Sequence, residues 1–247
     1  ALMTDHTLII SLDEVDSTNN FLCSYQGEEG KRMTVARAEY QTAGRGQGVN
    51  TWESQTGKNL TFSAKSWPLH LPASRQFVLL QAGALAVRDV LAAFVDGITI
   101  KWPNDIYWHD KKLSGTLSQC SIHGMEIGYC ILGIGVNVNQ LDFVSDAPNP
   151  VSLASILEHE EDREEVFNMI IKRLEIYFAK IDEGLYDQIS DFYKHSLYRR
   201  EGFWPYKDSQ GEFEAAWQDV LDNGHLVLQR HDGTLSEYEF KEVKFKI

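Results

Sequence analysis

The segment from Gln41 to Trp52 combines glycines, an arginine and a tryptophan, a set suited to holding an anion beside a flat ring. Glycines let backbone amides approach an anion, the guanidinium of Arg45 can grip carboxylate or phosphate oxygens, and Trp52 can cover a base. Each feature also has an ordinary explanation, since such turns are commonly surface loops and tryptophans are commonly core anchors. The segment indicates a ligand site only in combination with others.

A second cluster, Lys101 to Asp105, lies at the end of a predicted strand, where ligand groups commonly sit. Asp105 is suited to holding Mg²⁺, which prefers carboxylate and phosphate oxygens, and Asn104 and Lys101 are suited to phosphates. A strand that ends in a Pro-Asn-Asp turn explains the same residues. The cluster alone leaves the two interpretations open.

Two further clusters follow, Lys111 to Gly115 and Gly133 to Asn139. In the first, a lysine begins a predicted strand near a glycine that would let a ligand come close, although lysine pairs are ordinarily solvated. In the second, Asn137 and Asn139 stand two residues apart at the end of an apolar segment. Asparagine is depleted in strands, so this pair predicts specific hydrogen bonds, either to a ligand or within the fold.

Hydrophobic patterning predicts the elements that must position these clusters. A helix is expected to begin near Ser17-Thr18-Asn19, a second to run from Pro72 to Phe94, and a third to carry apolar residues at helical spacing from Val166 to Ile181. The predicted strands are Thr7–Leu12, Met33–Glu39, Leu60–Ala64, Ile98–Trp102, Leu113–Ile122 and Ile127–Asn139.

The last fifty or so residues differ in character from the rest. After about residue 196 the chain has short β segments separated by the turn signals Asp222-Asn223-Gly224 and Asp232-Gly233. We therefore predict an α+β protein with a main domain at 1–195 and a small all-β domain at 196–247.

Composition limits the possible partners. The 247 residues include 23 Lys and Arg against 36 Asp and Glu, a net charge of −13 that opposes binding to a phosphate backbone, so we expect no nucleic-acid partner. The three cysteines are too widely spaced for a metal pattern, and no apolar run approaches a membrane span. These features predict a soluble cytoplasmic protein, with no membrane partner.

In their order along the chain, the clusters resemble the biotin protein ligase family. Its pattern is Ser-Thr-Asn, Gln-x-x-Gly-Arg-Gly-Arg, Lys-Trp-Pro-Asn-Asp, Lys-x-x-Gly and Gly-x-Gly-x-Asn. The residues of this sequence that match it span Ser17 to Asn139 and are Ser17-Thr18-Asn19, Gln41, Gly44-Arg45-Gly46, Lys101 to Asp105, Lys112, Gly115, Gly135 and Asn137.

The resemblance implies a role for each matching residue. Those implied to bind biotin are Ser17, Thr18, Asn19, Gln41, Gly44, Arg45, Lys112 and Gly115. Those implied to bind ATP or the adenylate are Arg45, Gly46, Gln47, Trp52, Lys101, Asn104, Lys112 and Asn137. Lys112, Arg45 and Asp105 are the implied catalytic residues, with Asp105 also the implied magnesium ligand.

The resemblance also implies the reaction and the fold. The expected activity forms biotinyl-adenylate and pyrophosphate from biotin and ATP, with Mg²⁺, and then transfers biotin to a lysine of a carrier protein or domain. The expected fold is a mixed sheet with helices, followed by a small SH3-like β-barrel. The alternative functions are a lipoate ligase and a non-catalytic biotin sensor. Whether the protein forms a homodimer is left open.

The sequence departs from the family pattern in the glycine-rich loop. Gln47 stands where a second arginine is common, and Gly48-Val49-Asn50 replaces Arg-Gly-Arg, which reduces the loop's charge. Sixteen residues precede Ser17, too few for the DNA-binding domain that some family members carry. We therefore expect a monofunctional ligase, and the effect of the loop substitutions on retention of the intermediate is left open.

Overall fold

A computed structural model of the chain describes residues 6–46, 51–145 and 147–247. The strands are β1 (Thr7–Val15), β2 (Met33–Gln41), β3 (Leu60–Ser66), β4 (Ile98–Lys101), β5 (Asp105–Trp108), β6 (Lys111–His123), β7 (Glu126–Val136), β8 (Phe203–Asp208), β9 (Gly211–Val220), β10 (Leu226–Arg230), β11 (Leu235–Tyr238) and β12 (Lys244–Phe245). The helices are α1 (Thr18–Cys23), α2 (Phe77–Ala92), α3 (Leu153–Leu157), α4 (Arg163–Asp182) and α5 (Tyr186–His195).

The first seven strands form one mixed sheet in the order β1-β2-β3-β7-β6-β5-β4. β1 and β2 are parallel, and the other neighbours are antiparallel. A parallel pair needs a crossover connection, which α1 and the segment after it supply. At the opposite edge, Leu197 forms a parallel bridge with Ile100 of β4.

The two faces of this sheet have different neighbours, as β7 illustrates. Successive strand residues point to opposite faces. Leu132 of β7 points toward α2, because a Cβ on Gly83 of that helix would meet its side chain. Gly133, the next residue of β7, faces the other way, because a Cβ there would overlap the side-chain amide of Asn19 in α1. The α2 face therefore holds the main core, and the opposite face, next to α1, has room for a cleft.

The predicted helix over Val166–Ile181 is confirmed and extends over Arg163–Asp182. It begins after Asp162, whose side chain accepts hydrogen bonds from the backbone amides of Glu164 and Glu165. The apolar residues expected at helical spacing are all buried, and each contributes roughly 1.5–3 kcal/mol of hydrophobic stabilisation. They are Val166, Ile170, Leu174, Tyr177 and Ile181. This helix packs mainly on α2 and completes the helical layer of the core.

The C-terminal strands form a second, antiparallel sheet in the order β11-β10-β9-β8-β12. The two predicted turns lie where expected, since residues 222–224 join β9 to β10 and residues 232–233 join β10 to β11. Buried residues of this sheet, including Tyr206 and Leu228, belong to the same continuous core as the main sheet. The expected α+β class is confirmed, and the second sheet is consistent with an SH3-like domain.

Several sequence predictions need correction. The expected helix over Pro72–Phe94 is a short 3₁₀ turn at Ala73–Arg75 followed by α2. The strand expected over Ile127–Asn139 ends at Val136, so Asn137 and Asn139 follow the strand and do not share its face. The sequence also gave no indication of β5, α3 or α5.

Cys23, Cys120 and Cys130 are free thiols, with Cys120 directly opposite Cys130 on the neighbouring strand.

Within the described ranges, no helix combines the length and apolar character needed to cross a bilayer.

Candidate active site

A cleft of about 220 Å³ opens on the α1 side of the main sheet. Residues from all four sequence clusters line it, together with Phe240 from the segment between β11 and β12. The predicted site residues in its wall are Ser17, Thr18, Asn19, Gln41, Arg45, Gly46, Trp52, Lys101, Asn104, Asp105, Lys112 and Gly115. The fold therefore brings together residues that lie almost a hundred positions apart in the chain.

One end of the cleft is built from uncharged polar side chains, and we call Ser17, Thr18, Asn19 and Gln41 the neutral end. Ser17 caps α1, its hydroxyl accepting from the amide of Asn20 at 3.4 Å. The amide and hydroxyl of Thr18 both donate to Gln41 Oε1, at 2.9 and 3.2 Å. Because β1 and β2 run parallel, Gln41 at the end of β2 is placed beside the start of α1.

Ser63 of β3 completes this network from behind. Its hydroxyl lies 2.7 Å from that of Thr18 and donates a hydrogen bond to Asn19 Oδ1. Ser63 is fully buried, and Asn19 and Thr18 nearly so. The Nδ2 group of Asn19 is buried and has no hydrogen-bond partner among the described residues, so the neutral end offers a fixed donor to a ligand.

Trp52 lines the cleft beside β6 and β7. A Cβ on Gly135 would overlap its indole ring, and one on Gly115 would lie 3.5 Å from it, so both glycines allow the ring to pack closely on these strands. The indole Nε1 is buried and has no hydrogen-bond partner among the described residues. The ring thus lies close to Lys112 and, along β7, two residues from the position of Gly133, which Asn19 covers.

Arg45 extends from the glycine-rich loop over the neutral end. Its backbone forms an antiparallel bridge with Thr51, and its guanidinium donates to Asn20 Oδ1 at 3.0 Å. Gln47, predicted to bind the adenylate, lies outside the described residues. Gly44 lies behind the wall, where its carbonyl accepts from the Trp52 amide at 3.4 Å.

The other end of the cleft carries charge, and we call Lys101, Asp105 and Lys112 the charged end. The β4–β5 hairpin pairs Lys101 with Asp105, and the β5–β6 hairpin places Lys112 opposite Tyr107. Lys112 Nζ lies 3.1 Å from Asp105 Oδ1 and 5.9 Å from the centre of the Trp52 ring. The lysine is therefore next to both the carboxylate and the central indole.

Lys101 has a more apolar environment than Lys112. Its ammonium lies 5.4 Å from the centre of the Tyr107 ring and 5.0 Å from that of Phe245 in β12. Burial lowers the pKa of Lys101, although Asp105 opposes this effect and Lys112 adds to it. A phosphate beside Lys101 would relieve the cost of holding this charge in a desolvated position.

Residues from distant parts of the chain hold the turn between β4 and β5. Trp102 Nε1 donates to the carbonyl of Gly224 at 2.8 Å, and the hydroxyl of Tyr193 donates to the carbonyl of Pro103 at 2.7 Å. Asn104 Nδ2 donates to the carbonyl of Thr116. The Nδ2 group of Asn104 thus already has a structural partner, although the residue lines the cleft.

Asn137, predicted to bind ATP, is not among the residues that line the cleft. Its Nδ2 donates to the carbonyls of Val151 at 3.1 Å and Lys112 at 3.4 Å, while its Oδ1 is buried without a protein partner. Asn139 exchanges two hydrogen bonds with the backbone of Glu161. The second asparagine therefore has a structural role in the fold.

Sequence reasoning missed Ser63 and Phe240. A serine within the buried strand Leu60–Ser66 was the only signal for the first. Phe240 lies outside every strand, and nothing in its surrounding sequence indicates a cleft.

Asp105 is the one carboxylate among the described residues of the cleft wall, and no cluster of three or more potential metal-binding side chains occurs in the described part of the chain. Mg²⁺ in nucleotide sites commonly takes one or two carboxylates and completes its shell with phosphate and water oxygens. This donor set fits a magnesium ion that is carried by a nucleotide.

Comparison with known proteins gives matches over the same region. Residues 12–137, about half of the chain, match the Biotin/lipoate A/B protein ligase family. The Bifunctional ligase/repressor BirA of Escherichia coli (strain K12) is 34% identical over 128 residues, which cover 51% of this chain and 39% of that protein. The protein of the same name from Bacillus subtilis (strain 168) is 35% identical over 130 residues, covering 52% and 39%. The matches thus span about two fifths of the length of these relatives.

Among solved structures, the chain is similar to a biotin protein ligase from Aquifex aeolicus in complex with biotin and ATP. The two share 26% sequence identity with a TM-score of 0.79, over 97% of this chain and 98% of that one. The similarity therefore includes the C-terminal sheet as well as the cleft.

Proposed function

Since the chain belongs to the biotin/lipoate A/B protein ligase family, we propose that it is an ATP-dependent biotin protein ligase. The observation that carries the proposal is the set of groups that one cleft brings together. The cleft is lined by neutral hydrogen-bonding residues, by the Trp52 indole, and by Lys112 beside Asp105. Biotinyl-adenylate has a counterpart for each of these, with a neutral ureido ring, a flat base, and a carboxyl group joined to phosphate.

The neutral end is suited to the ureido group of biotin. Ser17, Thr18 and Gln41 supply hydroxyl and amide groups, and Asn19 supplies a donor without a partner among the described residues. A ureido group has one carbonyl acceptor and two N–H donors, so it can satisfy such groups where water is excluded. These hydrogen bonds would hold the carboxylate of biotin toward Lys112.

In the first step, a carboxylate oxygen of biotin attacks the α-phosphorus of ATP, the bond to the bridging oxygen breaks, and pyrophosphate leaves. Negative charge accumulates on the phosphoryl oxygens, and Lys112 and Arg45, which both line the cleft, would stabilise it. Asp105 would hold the magnesium ion that accompanies ATP and contributes further charge neutralisation. Lys101 and Asn104 would bind the remaining phosphates.

In the second step, a neutral lysine amine of the carrier attacks the acyl carbon, and AMP leaves. The amine must lose a proton as the amide forms, and Asp105 is a candidate acceptor because its carboxylate lies in the cleft wall. Trp52 and the arginine-containing loop would shield the mixed anhydride from water between the two steps. The proposed partner is therefore a biotin carboxyl carrier protein or domain.

The domain organisation and cell compartment form part of the same proposal. The division into 1–195 and 196–247 is supported by the end of α5 at His195 and the start of the second sheet at Phe203. A cytoplasmic location agrees with a need for ATP, and the charge of −13 disfavours a nucleic-acid partner. A homodimer is compatible with a cleft built from one chain, and sedimentation equilibrium would test it.

The decisive experiment is biotin-dependent exchange of labelled pyrophosphate into ATP, with lipoate as the competing substrate. We expect exchange with biotin and little with lipoate, followed by transfer of labelled biotin to a carrier domain. Exchange with lipoate alone would favour a lipoate ligase, the other activity named in the family. Tight biotin binding without any exchange would instead favour a non-catalytic sensor.

A further inference from the structure

Two turns of the C-terminal region contact Trp102, in addition to the approach of Phe245 in β12 to Lys101. The indole Nε1 donates to the carbonyl of Gly224 in the β9–β10 turn, and the ring of Phe240 lies 6.0 Å from the indole, measured between ring centres. Trp102 is only 5% exposed. Since Trp102 begins the turn that carries Asn104 and Asp105, the second sheet is in direct contact with the charged end.

The Gly224 contact fixes the relative position of the two sheets. Gly224 has a φ of +91°, and a Cβ there would lie 2.6 Å from the ring of Phe77 at the start of α2. A glycine is therefore needed both for the left-handed backbone and for the close approach. This packing holds the β9–β10 turn against Phe77 and Trp102 together.

Phe240 is presented by a turn that is stabilised independently of the cleft. In this turn, the amide of Glu239 donates to Glu242 Oε2 at 2.6 Å, and the amide of Glu242 donates to the carbonyl of Glu239 at 3.1 Å. Phe240 remains 39% exposed although it lines the cleft. The Phe240 ring therefore lies next to Trp102 and keeps exposed apolar surface at the cleft.

The position of Phe240 indicates which part of a ligand it meets. Its neighbour Trp102 lies between Lys101 and Asn104 in the sequence, and all three residues line the cleft at the charged end. An apolar wall beside ammonium groups excludes water and strengthens their attraction for phosphate. A ring here therefore acts on the anionic part of a ligand.

We propose that Phe240 is a nucleotide-contacting residue, supplied to the main cleft by the C-terminal sheet as an apolar wall of its charged end. The inference rests on the proposed function in taking the anionic ligand to be ATP. It gives the second sheet a defined part in the first reaction step, since ATP binding precedes adenylate formation.

The test compares Phe240→Ala and Phe240→Leu with Phe203→Ala. Phe203 is a matched control, because it is similarly exposed, belongs to the same sheet, stacks on His231 and does not line the cleft. Binding of the unreactive analogue α,β-methylene-ATP is measured with and without biotin, and KM values for ATP and biotin are measured by pyrophosphate exchange. Thermal unfolding is recorded for each variant.

Phe240→Ala is expected to raise the Kd of the analogue and the KM of ATP about tenfold, equivalent to about 1.4 kcal/mol, with the biotin KM within twofold of the unsubstituted protein. Phe240→Leu, which keeps an apolar wall, should recover most of the affinity, and Phe203→Ala should have no effect on either ligand.

An unchanged Kd for the analogue in Phe240→Ala would overturn the proposal. An equal loss of biotin and nucleotide affinity, accompanied by a lower unfolding temperature, would overturn it as well, because that pattern marks general structural damage. Failure of the proposed function gives a different result, in which the unsubstituted protein binds the analogue but shows no biotin-dependent exchange.

Discussion

The two ends of the cleft are built in different ways. At the neutral end, Thr18, Gln41 and Ser63 are within about fifty residues of one another and hydrogen-bond directly to each other. At the charged end, the turn after Lys101 is held by Tyr193, 90 residues from its partner Pro103, and by Gly224, 122 residues from Trp102. The first end is therefore organised by its own side chains, and the second by the rest of the fold.

The difference in how the two ends are held follows from the chemistry of their side chains. Neutral hydrogen-bonding groups can satisfy one another in the absence of a ligand, so a buried network is stable on its own. Clustered ammonium groups repel, and Lys112 has Asp105 as its one close ionic partner among the described residues. The backbone that carries them must be held from outside, which explains why α5 and the C-terminal sheet contact the turn from behind.

The largest expected effect is at the charged end. Lys112→Ala should cost about 2 kcal/mol or more of transition-state stabilisation, a loss of at least about thirtyfold in the rate of adenylate formation, because the ammonium stabilises the transferring phosphoryl group. Single-turnover formation of labelled biotinyl-adenylate measures this rate. Lys111→Ala is the matched control, since Lys111 is the exposed neighbour and does not line the cleft. A normal rate for Lys112→Ala would contradict the assigned role.

The next largest effect is expected at Gly135, on which the Trp52 ring packs. In Gly135→Ala the new methyl group would overlap the Trp52 ring and displace it, at a cost of roughly 1–3 kcal/mol. Because the indole lies close to Lys112 and only two residues along β7 from the position that Asn19 covers, the KM values for biotin and ATP should both rise. Gly128→Ala, on the same strand but with Ser121 and His123 as its neighbours, is the control. A change in only one KM would show that Trp52 belongs to one end alone.

A smaller effect is expected within the neutral end. Gln41→Ala removes the acceptor shared by the amide and hydroxyl of Thr18, a loss of about 1 kcal/mol. The biotin KM should rise about fivefold while the ATP KM stays constant, as determined from pyrophosphate exchange at varied concentrations of each substrate. Equal increases in both values would remove the distinction between the two ends.

The smallest effect on activation is expected at Arg45, which contacts Asn20 on the exposed side of the neutral end. Arg45→Gly should slow adenylate formation only a few-fold but speed the release of biotinyl-adenylate more strongly, because the guanidinium helps to cover the intermediate. Dissociation of labelled adenylate in a filter assay gives the release rate. Asn20→Ala separates the two contributions, since it removes the partner of Arg45 and leaves the guanidinium in place. An unchanged release rate in Arg45→Gly would refute the covering role.

Features that depend on local spacing were predictable from the sequence. The apolar residues from Val166 to Ile181 repeat at helical intervals, and Asp222-Asn223-Gly224 has the chemistry of a tight turn, so the structure has a helix and a turn at these places. Ser17 was likewise expected at a helix start, because a hydroxyl there satisfies a free backbone amide. Such signals come from residues close together in the sequence and need no distant partner.

Short elements without their own pattern were not predictable. β5 has only four residues, begins at Asp105 inside a polar cluster, and exists because β4 and β6 pair with it on both sides. The helix α5 was missed although its Tyr193 supports the charged end through Pro103. In both cases tertiary pairing supplies the stability that local propensity does not.

The sequence by itself determined which side chains are available for chemistry and, through their order, the family they resemble. Only the tertiary structure decided that Asn137 lies behind the cleft wall, that Lys112 pairs with Asp105, and that Phe240 reaches the charged end. The physical reason is that motif residues report local chemistry, whereas these contacts depend on strand register and on packing between elements far apart in the chain.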